Sequence, residues 1–258
     1  LAVLCALLCG AAVNASAVAE QGAEGAPATI PAELATSVEL TEEAIKARIA
    51  AVEQVAGLEE SLRKRLTDSY QAALQSVQQA ATHASTLEDY RQEIQGAPGQ
   101  MATIRARLAE PEKEPKPDVP TDATVQQLEQ NLAQAQAELA QAKEEVKSLE
   151  AEQSRRAARR TELPKLLADA RQKLEQVGQE LTQEPAADTP PAVVVARKTR
   201  LLARQKEIQA HIEAQEAELR SYDARQELLP LRRDLAAQRV TRAQKLVDAW
   251  QKLVNEAR

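Results

Sequence analysis

A single heptad register runs without a slip through residues 125–181, and it constrains the fold more than any other feature of the sequence. With Val125 at an a position, apolar residues recur at alternating spacings of three and four, and the phase continues beyond a polar interruption at 153–160. The apolar members are Val125, Leu128, Leu132, Ala135, Leu139, Ala142, Val146, Leu149, Leu163, Leu167, Ala170, Leu174, Val177 and Leu181. Heptad spacing keeps an apolar stripe facing a partner helix along a coiled-coil seam. We therefore predict a rod of helix, about 85 Å long at about 1.5 Å per residue.

The composition favours long helices over a compact globule. Phe is absent, and the 258 residues include one Trp and three Tyr, so the aromatic side chains that usually fill a core are scarce. Apolar residues make up 43% of the chain and are periodic, which argues against disorder. No run of alternating β-branched residues bounded by turns is present. We predict an all-α fold of long antiparallel coiled-coil helices forming an extended helical bundle, with no β-sheet.

The first 19 residues predict a secretory signal peptide whose basic n-region is missing. They carry no charge and end in an A-x-A cleavage pattern at 17–19. A short membrane anchor is the alternative, although the apolar run is shorter than the ~20 residues that a spanning helix needs. Cys5 and Cys9, the only cysteines, lie in this segment, so the cleaved chain would have no thiol chemistry. Residues 20–39, rich in Gly, Ala and Pro, predict a disordered mature N-terminus.

Proline and glycine divide residues 40–258 into a series of predicted helices. Their expected ranges are about 41–56, 58–95, 99–109, 122–182, 192–229 and 230–258. Pro-rich linkers are predicted at 110–120 and 183–191, because no helix interior tolerates prolines at that density. The segment 96–99, Gly-Ala-Pro-Gly, is expected to end the second helix, and Pro230 is expected to separate the last two.

The polar interruption of the heptad is where we predict a kink or a turn. It carries the candidate contact residues Arg155, Arg156, Arg159 and Arg160. Four guanidinium groups on one short stretch could bind lipid headgroups, phosphorylated saccharides or an acidic partner. The alternative is a solvated stretch offset by nearby acids such as Glu150, Glu152 and Glu162. Pro164 follows, and Thr161 could begin a new helix there, so we expect two arms that meet near 155–164.

No motif for catalysis, a cofactor or a metal is visible. His83 and His211 are the only histidines, and neither has a second ligand at i+3 or i+4, so both are expected to be exposed helix residues. The glycines form no phosphate-binding pattern, and a coiled coil offers no closed pocket to preorganise a catalytic triad. A mild net charge of −6, with acids and bases interspersed, argues against nucleic acid as a partner. We predict a protein that is not an enzyme, with no cofactor and no small-molecule substrate.

The C-terminal helix carries a resemblance to a known family. The segment 228–235, LLPLRRDL, followed by Trp250 and Val254-Asn255, resembles the periplasmic N-terminal coiled-coil region of large MscS-type mechanosensitive channels. This region is often called the porin domain, and the potassium-dependent member of the family is the best known. The upstream order is also similar: a signal peptide, a short helix, a Pro-rich linker and a long Gln- and Ala-rich heptad helix. The resemblance covers roughly residues 40–258.

The resemblance implies a non-catalytic extracytoplasmic domain of a channel gated by membrane tension. The domain would be exported to the periplasm and tethered to the inner membrane in the full-length protein. Its partners would be the sister subunits of a homo-oligomer and its own transmembrane channel region, which we expect beyond Arg258 and which this sequence lacks. The residues alone leave two other functions open: a free periplasmic coiled-coil adaptor that activates a cell-wall hydrolase or bridges an efflux assembly, and a secreted fibrous protein. The Pro-rich breaks favour antiparallel hairpins within one chain over seams between chains.

Overall fold

The described part of the chain is built from helices. A computed structural model describes residues 32–36, 39–111, 114–120 and 122–258, and no strand occurs among them. A short 3-10 helix, Ala32–Ala35, precedes five α-helices: α1 Glu42–Gln54, α2 Glu60–Ala109, α3 Val125–Thr182, α4 Pro191–Ala224 and α5 Leu228–Ala257. The prediction of an all-α fold is confirmed. The predicted signal peptide lies outside the described residues.

The 3-10 helix lies inside the segment that we predicted to be disordered. Its Leu34 is fully buried and joins a cluster with Ile45 of α1 and Ala192 of α4. The burial of Leu34 against α1 and α4 is the hydrophobic contact that attaches this short helix to the bundle. The prediction of disorder is therefore wrong for residues 32–35.

α3 is the longest helix, and two other helices cover it in succession. It begins at a capping box, in which the Thr124 hydroxyl accepts a hydrogen bond from the Gln127 backbone N–H at 3.3 Å. α5 packs along the first half of α3, and α4 packs along the second half. Every buried residue of α3 occupies an a or d position of the predicted register: Leu128, Ala135, Leu139, Leu163, Leu167, Ala170 and Val177. Both partners are antiparallel to α3. On α5, Arg258 pairs with Glu129 and Arg239 pairs with Glu145. On α4, Glu218 pairs with Arg159, and Arg197 donates a hydrogen bond to the Glu180 carbonyl.

α2 packs on α4, and here the two helices run in parallel. Leu66, Tyr70 and Ala73 of α2 lie in one cluster with the start of α4, whereas Leu87 meets Ala214 and Ala217 farther along both helices. This pairing differs from the antiparallel arrangement that we predicted. Buried alanines at many α4 positions let the helix axes approach closely, so α4 can lie between α2 and α3.

The predicted break at residues 96–99 is wrong, because α2 continues through Pro98. Proline inside a helix removes one backbone hydrogen bond and costs about 3 kcal/mol. Contacts at this stretch and beyond it offset that cost: Ala97 is fully buried, and the Gln100 side-chain oxygen accepts a hydrogen bond from Arg232 at 2.7 Å. Arg105 forms an ion pair with Glu227 at the start of α5.

α3 also continues where we predicted the two arms to meet. Pro164 lies inside the helix, and the Thr161 hydroxyl donates a hydrogen bond to the Ala157 carbonyl at 3.1 Å instead of capping a new helix. Leu163 and Leu167 remain buried on either side of the proline. The prediction of a new helix at Thr161 is therefore wrong, because α3 is packed against a neighbour before and after the proline.

The break between α4 and α5 also differs from its predicted position. α4 ends at Ala224 and α5 begins at Leu228, so Pro230 lies in the first turn of α5. The first N–H groups of a helix have no intrahelical acceptor, and proline is therefore tolerated there. The chain turns at 225–227, before the proline and not at it.

Two glycines are expected to respond to alanine in opposite ways. Gly57 joins α1 to α2 with φ 71°, which is costly for a residue with a side chain, whereas a Cβ at Gly99 would meet nothing within 4 Å. We expect Gly57→Ala to lower the free energy of unfolding by about 1 kcal/mol and Gly99→Ala to raise it by about 0.5–1 kcal/mol. Urea denaturation of both variants checks this, and changes of the same sign would contradict it.

Candidate functional site

Charged and polar side chains from α2, α3 and α4 meet where the packing partner of α3 changes from α5 to α4. This cluster, named the charged junction below, consists of Glu93, Arg156, Arg159, Glu218, Ser221, Tyr222 and Arg225. It lies beside the polar interruption of the heptad. Arg156 and Arg159 of the interruption therefore make interhelical contacts, whereas its other residues are exposed.

The centre of the charged junction is a two-point contact between Arg159 and Glu218. The Arg159 Nε and Nη2 atoms donate to Glu218 Oε1 at 2.9 Å and Oε2 at 3.1 Å. The Glu218 side chain is only 8% exposed, so its charge depends on partners within the protein. The Glu218 carboxylate raises the pKa of Arg159, and Glu162 adds a second ion pair at 3.0 Å. Such fork-to-fork contacts are both strong and orientation-specific.

Tyr222 adds a further hydrogen bond to Glu218 and also contacts two arginine side chains. Its hydroxyl donates to Glu218 Oε1 at 2.7 Å. The guanidinium carbons of Arg156 and Arg225 lie 5.9 Å and 6.0 Å from the centre of its ring, within the range of cation–π attraction. Burial, followed by the hydrogen bond with Glu218, raises the pKa of Tyr222 to about 12. The phenol therefore stays protonated and keeps donating at ordinary pH.

Glu93 connects α2 to the charged junction. Its Oε2 atom accepts a hydrogen bond from the hydroxyl of the fully buried Ser221 at 2.8 Å and pairs with Arg225 Nη2 at 2.7 Å. Burial lowers the pKa of Arg225, and the Glu93 carboxylate opposes this shift. The charged junction thus joins three helices through specific polar contacts, which define their relative register.

The four arginines singled out in the sequence all have acidic partners within the chain. Arg155 and Arg156 pair with Glu152 of the same helix, Arg159 pairs with Glu218, and Arg160 pairs with Asp223 at 2.7 Å. Arg156 and Arg159 belong to the charged junction, whereas the side chains of Arg155 and Arg160 are exposed. A lipid headgroup or an acidic partner would have to compete with these carboxylates. Such a contact stays a prediction.

Sequence reasoning missed the partners of the arginines. Glu218, Tyr222 and Glu93 lie on other helices, and no spacing rule connects them to Arg159. The one local signal is that Glu218 and Tyr222 are four residues apart, which places both on one face of α4.

The two histidines lie together, which the sequence did not predict. The His83 and His211 rings stack with centroids 4.5 Å apart and an interplanar angle of 16°. Both are half-buried, so the expectation of exposed helix histidines is wrong. They line a cleft of about 410 Å³, whose other lining residues come from α2, α3 and α4. Within the described ranges, no group of three or more His, Cys, Asp or Glu side chains could hold a metal ion.

The residues that carry the family resemblance divide between the core and the surface, where Pro230, Arg232, Arg233 and Asp234 are exposed. Leu228, Trp250 and Val254 are buried, with Trp250 7% exposed. Trp250 and Val254 face the first half of α3 in a cluster that includes Leu128 and Leu139. Trp250 and Val254 therefore attach α5 to α3.

Comparison with known protein families gives a match over most of the chain. The family model described as "Mechanosensitive ion channel porin domain" matches residues 48–258, a range that contains all of α2 to α5 and about half of α1. No curated protein and no solved structure matches the chain. In the part of the chain that the structure describes, no helix is long and apolar enough to cross a membrane.

Proposed function

The chain belongs to the mechanosensitive ion channel porin domain family, and we propose that it forms the non-catalytic extracytoplasmic helical domain of a channel gated by membrane tension. The observation that carries this proposal is the family match over residues 48–258. The family is a channel domain and not a catalytic family, which supports a mechanical role. The potassium-dependent subtype stays a prediction.

The proposed role of the domain is to brace the channel assembly. α3 has 58 residues, about 87 Å of helix at about 1.5 Å per residue. α4 and α5 follow each other along it, and the charged junction lies at the changeover. A force applied at α5 would pass to α4 through the continuous α3 and through the charged junction. This arrangement supports a role as a stiff lever, which connects the outer end of the domain to the membrane-embedded part of the channel.

The proposed partners follow from the same family membership. They are the sister subunits of a homo-oligomeric channel and the chain's own transmembrane region in a longer protein. We propose that the domain is exported to the periplasm and tethered to the inner membrane through that region. The gene sequence beyond codon 258 separates this proposal from a free periplasmic adaptor. Several hydrophobic spans there would support the channel, and a stop codon would favour the adaptor.

Patch-clamp recording of the full-length gene product tests the proposed function. In membrane patches from cells that lack other tension-gated channels, we expect currents that appear only under suction and only when the gene is expressed. Arg159→Ala, which weakens the charged junction, is expected to shift the pressure threshold, whereas Arg160→Ala should leave it unchanged. The absence of any tension-dependent current would overturn the proposed function.

The proposed location has its own measurement. Gln251 is exposed on α5, and the only native cysteines are Cys5 and Cys9. A Gln251→Cys variant in intact cells should react with a membrane-impermeant maleimide if the domain is extracytoplasmic, with the unsubstituted protein as the background control. Labelling that requires permeabilised inner membranes would contradict export.

A further inference from the structure

The stacked histidines occupy a particular place in the packing of α2 on α4. On one side of them lies the apolar cluster that contains Tyr70 and Ala196, and on the other side lies the smaller cluster of Leu87, Ala214 and Ala217. His83 and His211 are the only histidines of the chain, so all of its imidazole titration is concentrated at this contact. A change in their charge would therefore act on the α2–α4 interface between two apolar clusters.

The charges around the histidine pair do not favour two added protons. On α4, both carboxylate oxygens of Glu207 accept from Arg204 Nη1, at 2.6 Å and 2.7 Å, so this acid is already paired. On α3, Lys173 and Asp169 face the same cleft, and Arg159 acts from farther away. The other residues of α2 that line the cleft, Gln79 and Thr82, carry no charge.

We propose that His83 and His211 form a pH-sensitive latch, closed when both imidazoles are neutral and opened by protonation of both. Two imidazolium rings with centroids 4.5 Å apart would repel each other in a half-buried site, where solvent screens them less than at the surface. Separation of α2 from α4 around residues 79–87 and 207–214 relieves that repulsion by admitting water. The latch acts on the packing of this chain's own helices, whatever protein region they are joined to.

The direction of the pH dependence follows from the titration of His211. Burial, and then His83, lowers the pKa of His211 below its ordinary 6.5; Lys173 and Arg159 act in the same direction, and Glu207 opposes them. The unfolded or opened chain therefore binds more protons than the closed chain between the lowered pKa and about 6.5. The closed interface is fully stable above about 6.5, and this stability is lost as the pH falls towards the lowered value.

Asp169 could have the opposite effect and keep the interface closed at low pH. Its carboxylate lies on the α3 side of the same cleft, and an ion pair with one histidinium could hold the cleft closed at low pH. In that case, Asp169→Asn would create a pH-dependent opening that the unsubstituted chain lacks. With the latch as proposed, Asp169→Asn opens in the same pH range as the unsubstituted chain or slightly above it.

Hydrogen exchange of the 258-residue chain at pH 7.5 and pH 5.5 tests the latch, with rates corrected for the chemical effect of pH. We expect peptides from 79–87 and 207–214 to become less protected at pH 5.5, by about tenfold, while the α3–α5 interface around Leu139 and Val247 keeps its protection. In the variant with His83→Gln and His211→Gln, the pH-dependent loss should disappear. Equal protection of the unsubstituted chain at both pH values, or an unchanged loss in the variant, would overturn the proposal.

A second measurement needs no variant. Because the chain has only two histidines, NMR of the imidazole carbons resolves both titrations in the native protein. We expect the pKa of His211 to lie below 6.5, and two independent titrations at 6.5 would overturn the latch even if the substituted chain failed to fold.

Discussion

Replacing Trp250 by alanine is expected to lower the free energy of unfolding by about 3–5 kcal/mol, the largest effect of any single substitution considered. Trp250 is 7% exposed and packs in the cluster that joins α5 to the first half of α3. Its neighbours Ala135 and Leu139 extend from a continuous helix and cannot collapse into the space that the indole leaves. The substitution should therefore free α5 from α3.

The measurement must follow helix content, because Trp250 is the only tryptophan and its removal abolishes the natural fluorescence probe. Urea denaturation monitored by far-ultraviolet circular dichroism serves this purpose. Gln251→Ala is the matched control: it is the next residue, it is exposed, and it should change stability by less than about 0.5 kcal/mol. Similar losses in the two variants would show that α5 is not attached through Trp250.

Replacing Arg159 by alanine is expected to cost about 2–3 kcal/mol of unfolding free energy. The reason is the acid left behind: the Glu218 side chain is 8% exposed, and without Arg159 its carboxylate is left with the hydrogen bond from the Tyr222 hydroxyl. Because the Arg159 side chain is itself 34% exposed, water can reach part of the site and the cost stays below that of a fully buried pair.

Arg160→Ala is the control for the charged junction. Arg160 is adjacent in sequence and also pairs with an α4 acid, Asp223, but both side chains are largely exposed. Exposed pairs contribute about 0–1 kcal/mol, so this variant should be nearly as stable as the unsubstituted chain. A double variant, Arg159→Met with Glu218→Leu, should recover most of the loss, because it removes the unpaired acid together with its partner. No recovery would assign the effect to lost packing.

Local periodicity predicted the interior of α3 well. All of its buried residues lie at a and d positions, since the side chains that face a neighbouring helix are decided by the angular spacing of residues along one helix. The family resemblance also came from local pattern, and its residues Leu228 and Trp250 proved to be buried.

Prolines were the main source of error. Pro98 was expected to end a helix, and a new helix was one of the two outcomes expected at Pro164, yet α2 and α3 continue through them, and the α4–α5 turn precedes Pro230. A proline destabilises a helix by about 3 kcal/mol. This cost ends the helix in an isolated segment, but packing against neighbouring helices on either side of the proline can offset it. Sequence rules for helix-breaking residues describe only the isolated segment, because they contain no information on packing.

The sequence by itself determined that this chain is helical, that α3 is long, and which stripe of α3 is buried, because these properties depend on residues three and four positions apart. Only the tertiary structure decided which helix each stripe meets and what the polar residues do. The heptad interruption became the charged junction because Glu218 and Glu93 approach it from other helices. His83 and His211 stack because α2 runs parallel to α4. Contacts between residues more than a hundred positions apart depend on chain direction and register, which no local spacing encodes.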